Sequence, residues 1–405
     1  MKILWLKTEL LHPVDKGGKI RTYHLLKQLK ADHHITYLTL DDGTAPPDAA
    51  DSATEYCHDL IRIPHATREK FSAAFYAELA LNMTSSLPYA IRKYKSEQMK
   101  KAIEDVTAKD SFDVVVCDFL APAVNLPRRL QTPVALFQHN VEAAIWQRHY
   151  EVQKNAAKKR YLYWQWRKMW RFERVACRQV DCVIAVSEAD SKTMEQEYGL
   201  SKVYDIPTGV DVDFFKPTGT VAARPNSLVF TGSMDWLPNE DAINYFTQQI
   251  LPLIRQSVPD VSLTVVGRNP SHKLQELGRQ DSSITVTGRV DDVRPYMERS
   301  AAYIVPLRIG GGTRLKIYEA MAMEQAVVST TVGAEGLPVQ SGREIMIADT
   351  PAAFAESVVQ LLTNPGIAQE FGTRAAGIVR EQFGWNRAAQ RFAHVCETTI
   401  GRLTA

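Results

Sequence analysis

The chain has 405 residues, 45% of them hydrophobic, with 48 basic against 46 acidic side chains and a net charge of +2. That balance excludes a disordered chain and a globally basic nucleic-acid binder, so any cationic function has to be local. The length suits two domains of about 200 residues each better than one core.

The elements alternate from the start. KILWLKT is a short apolar run, followed by a glycine pair and a helical pattern, GGKIRTYHLLKQLKA, with apolar residues recurring at three and four. HITYLTL, FDVVVCDF, PVALFQH and DCVIAVS follow, each separated by helical stretches. Apolar runs of this kind mark a parallel sheet covered on both faces. VYDIPTGVDVDFFKPTGT then interrupts the pattern, and a second series begins with SLVFTGS, SLTVVG, ITVTG, AAYIVPL and AVVSTT. A Pro- and Gly-punctuated break between two complete α/β series is a domain boundary, expected within 206–218. The reading is an N-terminal Rossmann-like domain over 1–206 and a C-terminal one over 207–385. A last helix, 386–405, has no strand after it and docks on an existing layer, here expected to be the first domain. No run of about 18 apolar residues occurs, and MKILWL is too short for a signal-peptide core, so a cytoplasmic chain without a membrane span is expected. Cys57, Cys117, Cys177, Cys182 and Cys396 form no CxxC and sit mostly in apolar runs, as buried thiols in a reducing compartment do.

Two doubly wound domains bind ligands in the loops beyond the carboxyl ends of their strands. Three such loops carry chemistry. In HPVDKGGKIR, Gly17 and Gly18 open a helix and let a ligand approach its free N–H groups, although a plain tight turn accounts for them equally well. In PVALFQHN, His139 stands just past a strand end, where a ligand-facing or catalytic role competes with a structural histidine, and Glu142 could orient it. In RIGGGTRLKIYEAMA, Gly310, Gly311, Gly312 and Thr313 lie between Arg308 and the pair Arg314 and Lys316. A helix starting near Thr313 would add its positive end to these cations, a field suited to a diphosphate. Glu319, in the second turn of that helix, is placed to accept hydrogen bonds from ribose hydroxyls. No Asp-x-Asp pair occupies a comparable strand end, so neither a catalytic metal nor another cofactor is expected.

Several segments together make the chain resemble the group 1, family 4 glycosyltransferases: the early GG loop, RFERVACRQVDCVIAVSEAD, VYDIPTGVDVDFFKP, VFTGSMDWLPN, ITVTGRVDDVRPYMERSAAYIVPL, GGGTRLKIYEAMAMEQAVVSTTVGAEGL and FGWNRAAQRF. Members with a GGGTRLK loop are associated with exopolysaccharide assembly. The resemblance implies a GT-B fold, two Rossmann-like domains facing across a cleft, with a retaining, metal-independent transfer from a UDP- or GDP-sugar to a glycan or polyprenyl-linked acceptor. It implies that Gly17 and Gly18 approach the diphosphate, that Gly232 belongs to the donor loop, that Arg289 and Val290 lie against the base, that Glu319 holds the ribose and that His139 meets the donor sugar. The family's first glutamate is absent, Gly311 standing in its place. The Arg and Lys that relatives carry early in the second domain are replaced by GSMDWLPNEDA, leaving Arg308, Arg314 and Lys316 as candidate substitutes. A non-catalytic sugar-nucleotide-binding subunit, or a phosphorylase or epimerase on the same scaffold, are the alternatives.

The stretch from Trp146 to Arg174 interleaves tryptophans with bases, among them Trp164, Trp166, Trp170, Lys158, Lys159 and Arg160. It suits an interfacial helix on an anionic membrane, and equally a long helix that packs its aromatics and solvates its charges. Single-stranded nucleic acid is disfavoured as a partner by the near-neutral net charge.

Overall fold

A computed structural model describes residues 1–66, 72–309 and 315–401. By its own contacts the chain divides into one unit of Met1–Pro207 completed by the segment from Trp385, and a second of Thr208–Gly384.

The first unit is built on seven strands: β1 (Lys2–Lys7), β2 (His34–Asp41), β3 (Asp59–Pro64), β4 (Val114–Asp118), β5 (Val134–Phe137), β6 (Cys182–Ala185) and β7 (Val203–Asp205). They are parallel, in the order β3-β2-β1-β4-β5-β6-β7. Central strands read as unbroken apolar runs because both faces are covered. Ile3 and Trp5 point into a core with Leu25, Leu26 and Phe392, while Leu4 and Leu6 point the other way, onto Met99 and Ile103. The closing helix, Trp385–Gly401, lies within this unit, with the Phe392 ring 5.4 Å from Trp5 and 5.2 Å from Phe137. Each such ring contributes about 1.5–3 kcal/mol by its burial.

The second unit repeats the plan with six parallel strands: β8 (Ser227–Thr231), β9 (Ser262–Val266), β10 (Ile284–Val286), β11 (Ala302–Val305), β12 (Val327–Ser329) and β13 (Met346–Ile347), in the order β10-β9-β8-β11-β12-β13. One continuous apolar core joins its sheet and helices. Both sheets are Rossmann-like, and both reverse strand order beside their first strand, between β1 and β4 and between β8 and β11. A reversal is where doubly wound sheets generally take ligands, and ionisable side chains gather at both. All five cysteines are buried and free. Among the described residues no helix is long and apolar enough to cross a membrane.

Candidate functional site

In the first unit Lys7 closes β1 and Asp118 closes β4, so the reversal places a buried base against a buried acid. The Lys7 ammonium lies 2.7 Å from Asp118 Oδ2 and 2.7 Å from Thr22 Oγ1, and the Thr22 hydroxyl is 2.6 Å from the same carboxylate oxygen. Trp5 Nε1 donates to it at 3.0 Å. The other oxygen, Oδ1, meets His139 Nε2 at 2.7 Å. Desolvation works to raise the Asp118 pKa, but Lys7 and the hydrogen bonds from Lys7 and His139 outweigh it and hold the carboxyl well below the usual range. For Lys7 desolvation wins over the attraction of Asp118, and its pKa is lowered.

His139 is only 1% exposed, so the strand-end position does not leave it in an open crevice as the sequence suggests. Desolvation pushes its pKa down to about 3 against the pull of Asp118, and the imidazole is neutral. An ionised Asp118 accepts, so Nε2 carries the proton and Nδ1 is left as a bare lone pair. That Nδ1 is buried and has no partner among the described residues. The residue that orients His139 is therefore Asp118, not Glu142. The Glu142 carboxyl, raised by desolvation, sits instead at the start of the helix Glu142–Val152. That helix is capped by Glu173, which accepts from the Glu142 and Ala143 N–H groups at 2.9 and 2.8 Å and from the Tyr198 hydroxyl at 2.7 Å. Desolvation pushes Glu173 up to about 7 against these donors.

Phe119 covers the histidine, with ring centroids 3.7 Å apart and nearly parallel. Its backbone holds φ 72°, a left-handed conformation rare for an aromatic and the kind of strain that collects at functional sites. The ring also fills the space over Gly18, where a Cβ would come within 2.6 Å of Phe119 Cζ. Gly18 therefore makes room for this ring. Gly17, by contrast, faces open space at the start of the helix Gly17–Leu29, whose first turn has no side-chain cap. Arg21 from the same helix is buried, its pKa lowered to about 10 by desolvation against Asp118 and Asp190, and its Nε has no partner among the described residues.

In the second unit the reversal lies between the ends of β8 and β11. Lys316, on the helix Leu315–Ala322 after β11, reaches back to the end of β8. Its ammonium is 2.9 Å from Asn239 Oδ1 and 4.1 Å from the centre of the Phe230 ring. Asn239 is fixed in turn by donating to the Ser233 carbonyl at 2.8 Å. Gly232 is the floor of this corner, because a Cβ there would meet both Asn239 Nδ2 and Lys316 Nζ at 2.7 Å. Gly267, at the end of β9, packs against the Gly232 carbonyl, so the strand ends are zipped together. Glu319, one turn after Lys316, keeps partial exposure, but its carboxyl is desolvated and pushed up to about 7, with Lys316 pulling the other way.

Arg308 does not join Lys316. It pairs with Asp241 through Nε at 3.0 Å and Nη2 at 2.6 Å and lies 4.5 Å from the centre of the Tyr245 ring, and the ion pair raises its pKa. The expected convergence of cations reduces, among the described residues, to Lys316. Gly310, Gly311, Gly312, Thr313 and Arg314 lie outside the described residues. Arg289 is exposed in the loop after β10, and Val290 packs partly on the core. Sequence reasoning missed Lys7, Thr22 and Asp118. A lysine and an aspartate closing two apolar strands, KILWLK and VVVCD, were the available signal.

Of the tryptophan-rich segment, the helix Ala156–Arg178 turns Trp166 and Trp170 against the core, with Trp166 stacked on Tyr150 at 5.7 Å. Trp164 faces outward, as do Lys158 and Arg160, while Lys159 lies 5.2 Å over the Tyr150 ring.

The fold defines a protein of the GT-B class. Two solved likenesses cover nearly the full chain: sucrose-phosphate synthase from Thermosynechococcus elongatus has a TM-score of 0.72 at 15% identity over 99% of both chains. Anabaena HepE in complex with UDP has a TM-score of 0.68 at 13% identity, over 98% of this chain and 100% of that one. The family described as Glycosyltransferase Family 4 matches residues 16–214 and that described as Glycosyl transferases group 1 matches 225–364. Between them they take in most of both units, and the chain belongs to this family. A phosphatidyl-myo-inositol mannosyltransferase of Mycobacterium tuberculosis is 27% identical over 54% of this chain, a match that spans 60% of that protein's length. An uncharacterized 44.6 kDa protein in the cps region of Klebsiella pneumoniae is 19% identical over 94% of this chain and 96% of its own.

Proposed function

We infer that this protein transfers a glycosyl group, with retention of anomeric configuration, from a UDP- or GDP-sugar to a glycan or lipid-linked acceptor in cell-surface or exopolysaccharide assembly. The observation that carries the reading is the corner at the β8–β11 reversal, where bare Gly232 backbone, the Asn239 amide and the Lys316 ammonium meet one turn from Glu319. A phosphate needs a close backbone and a cation, and a ribose needs a carboxylate at that distance. Structural neighbours crystallised with UDP and with UDP-glucose support the donor class.

Breaking the bond from the sugar to the diphosphate puts negative charge on the departing phosphate. Lys316 is positioned to stabilise it in a partly dry corner, where such electrostatic terms are large. The acceptor oxygen attacks the same face of the sugar, and its proton passes to the leaving phosphate oxygen, so no protein base or divalent metal is needed. His139 offers its Nδ1 lone pair to a sugar hydroxyl, for which that buried nitrogen has to be uncovered. Nucleotide release from a panel of UDP- and GDP-sugars, in EDTA and with polyprenyl-phosphate-linked acceptors, tests this reading. Release with one donor and a tenfold or greater drop in Lys316→Ala are expected. Donor binding without any release would instead support a binding subunit, and equal release by Lys316→Ala would overturn the donor corner.

A further inference from the structure

We propose that the first unit docks on an anionic lipid bilayer through the helix Ala73–Asn82 together with the outward stripe of the helix Ala156–Arg178. A helix on a water-facing surface presents polar residues outward. The helix Ala73–Asn82 does the reverse, for its exposed positions are Ala73, Ala74, Tyr76, Ala77, Ala80 and Leu81, every one of them apolar or aromatic. Tyr76 is 57% exposed and Leu81 64%, and Met83 continues the face just beyond the last turn. Its two polar side chains are both engaged. Glu78 meets the Tyr89 hydroxyl, and the Asn82 side chain is buried against Gln165 at 3.0 Å.

The neighbouring helix supplies charge. Ala156–Arg178 holds eight lysines and arginines, and its sole acid, Glu173, is buried. Its outward stripe runs Arg160, Trp164, Arg167, Arg171 and Val175, a spacing of three and four that keeps all five on one face. None of the three arginines meets a carboxylate among the described residues. The two helices are joined: Lys168, one turn from both Trp164 and Arg171, donates to the Asn82 carbonyl at 2.7 Å and to the Met83 carbonyl at 3.2 Å. The apolar face thus abuts the arginine stripe.

An apolar helix, half-exposed aromatics and a parallel row of arginines that meet no carboxylate among the described residues ask for one partner with an apolar interior under a sheet of negative charge. A bilayer with anionic headgroups supplies both, and Tyr76 and Trp164 suit its interface. A protein partner would have to place an apolar groove and an acidic ridge side by side, and a second copy of this chain would set arginine against arginine. The docking does not depend on the transferase reading, since it concerns the surface alone. It does provide for a lipid-linked acceptor.

The test is sedimentation of the full chain with vesicles of phosphatidylcholine alone or with 30% phosphatidylglycerol. Binding to the anionic vesicles at least tenfold tighter than to the neutral ones is expected, falling sharply in high salt. Leu81→Glu with Tyr76→Ser should lose at least tenfold, and Arg167→Glu with Arg171→Glu a similar factor. Circular dichroism confirms folding of each variant, and nucleotide release with a water-soluble acceptor stays at the level of the parent. No binding to anionic vesicles overturns the proposal, as does equal binding by both variants. A concentration-dependent dimer abolished by Leu81→Glu also overturns it, because the face would then be covered by a second copy.

Discussion

Replacing Asp118 by Asn keeps the side chain's shape and removes the one charge that four donors share. Trp5, Lys7 and Thr22 converge on Oδ2 and His139 on Oδ1. Taking one partner from a buried ion pair costs about 3–5 kcal/mol. The structure sets a ceiling from the other side, because Lys7 can escape by giving up its proton. Neutralising a lysine at pH 7 against an unfolded pKa near 10.4 costs about 5 kcal/mol, at ~1.4 kcal/mol per pH unit. The loss at pH 7 is therefore expected at about 3–5 kcal/mol. The sign with pH follows from proton counts. In the variant the unfolded chain holds a Lys7 proton that the folded chain lacks, so stability rises with pH up to the unfolded pKa. The deficit at pH 9 should be smaller than at pH 7 by up to ~2.7 kcal/mol. Six of the seven tryptophans belong to the first unit, so fluorescence-monitored urea unfolding at both pH values reads that unit. Adding Lys7→Met should recover much of the loss, since an apolar stem then fills the place of an unpaired charge. A deficit under about 1 kcal/mol at pH 7, or one that is equal at pH 7 and 9, would refute the buried-pair argument.

Three further outcomes are expected. Gly232→Ala pushes a methyl against Asn239 and Lys316, so donor affinity measured by calorimetry should fall at least tenfold, with thermal stability changing far less; unaltered affinity would separate this corner from the donor. Glu319 accepts from ribose hydroxyls more strongly when ionised, and desolvation pushes its carboxyl up to about 7, so affinity for a nucleotide sugar should rise severalfold from pH 6 to pH 8, and Glu319→Gln should flatten that slope. His139, with its pKa pushed down to about 3, stays neutral across the working range. The pH profile of kcat/KM should thus show no inflection that vanishes in His139→Gln, although turnover itself drops.

Most of the framework was legible because a parallel sheet imposes unbroken apolar strands and βα periodicity. Ten of the thirteen strands stand out as short apolar runs in the chain. The other three, β3, β7 and β13, are all sheet edges, short or mixed in polarity, and DLIRIP, VYD and MI leave too little pattern to read. At the sites, the residues that glycine and histidine patterns single out were found, but their tasks were not. Gly18 looks like any glycine of a ligand loop until the Phe119 ring is seen against it, from a residue 101 positions away in sequence. Arg308 and Lys316 look alike as flanking cations, and only the fold shows that one is paired with Asp241 and the other leans to β8. Lys7 and Asp118 read as ordinary strand ends because nothing local tells that β1 and β4 are neighbours.

The two reversals differ in how their charges are answered. At the first, Asp118 is held by Lys7 with the buried Arg21 also drawn to it, and the neutral imidazole of His139 keeps one lone pair that can accept from a hydroxyl. At the second, Arg308 is already answered by Asp241, while desolvation pushes the Glu319 carboxyl up to about 7 with Lys316 pulling the other way. A diphosphate arriving there would be favoured by Lys316 and opposed by an ionised Glu319, unless the ribose hydroxyls repay that carboxylate with hydrogen bonds. On the proposed donor reading, ligands that carry both groups should therefore be preferred. Inorganic pyrophosphate brings the charge without the hydroxyls, and a nucleoside brings the hydroxyls without the charge. Each should bind far more weakly than the nucleoside diphosphate, and the shortfall should be largest for pyrophosphate above pH 7, where Glu319 is ionised and no ligand hydroxyl compensates it.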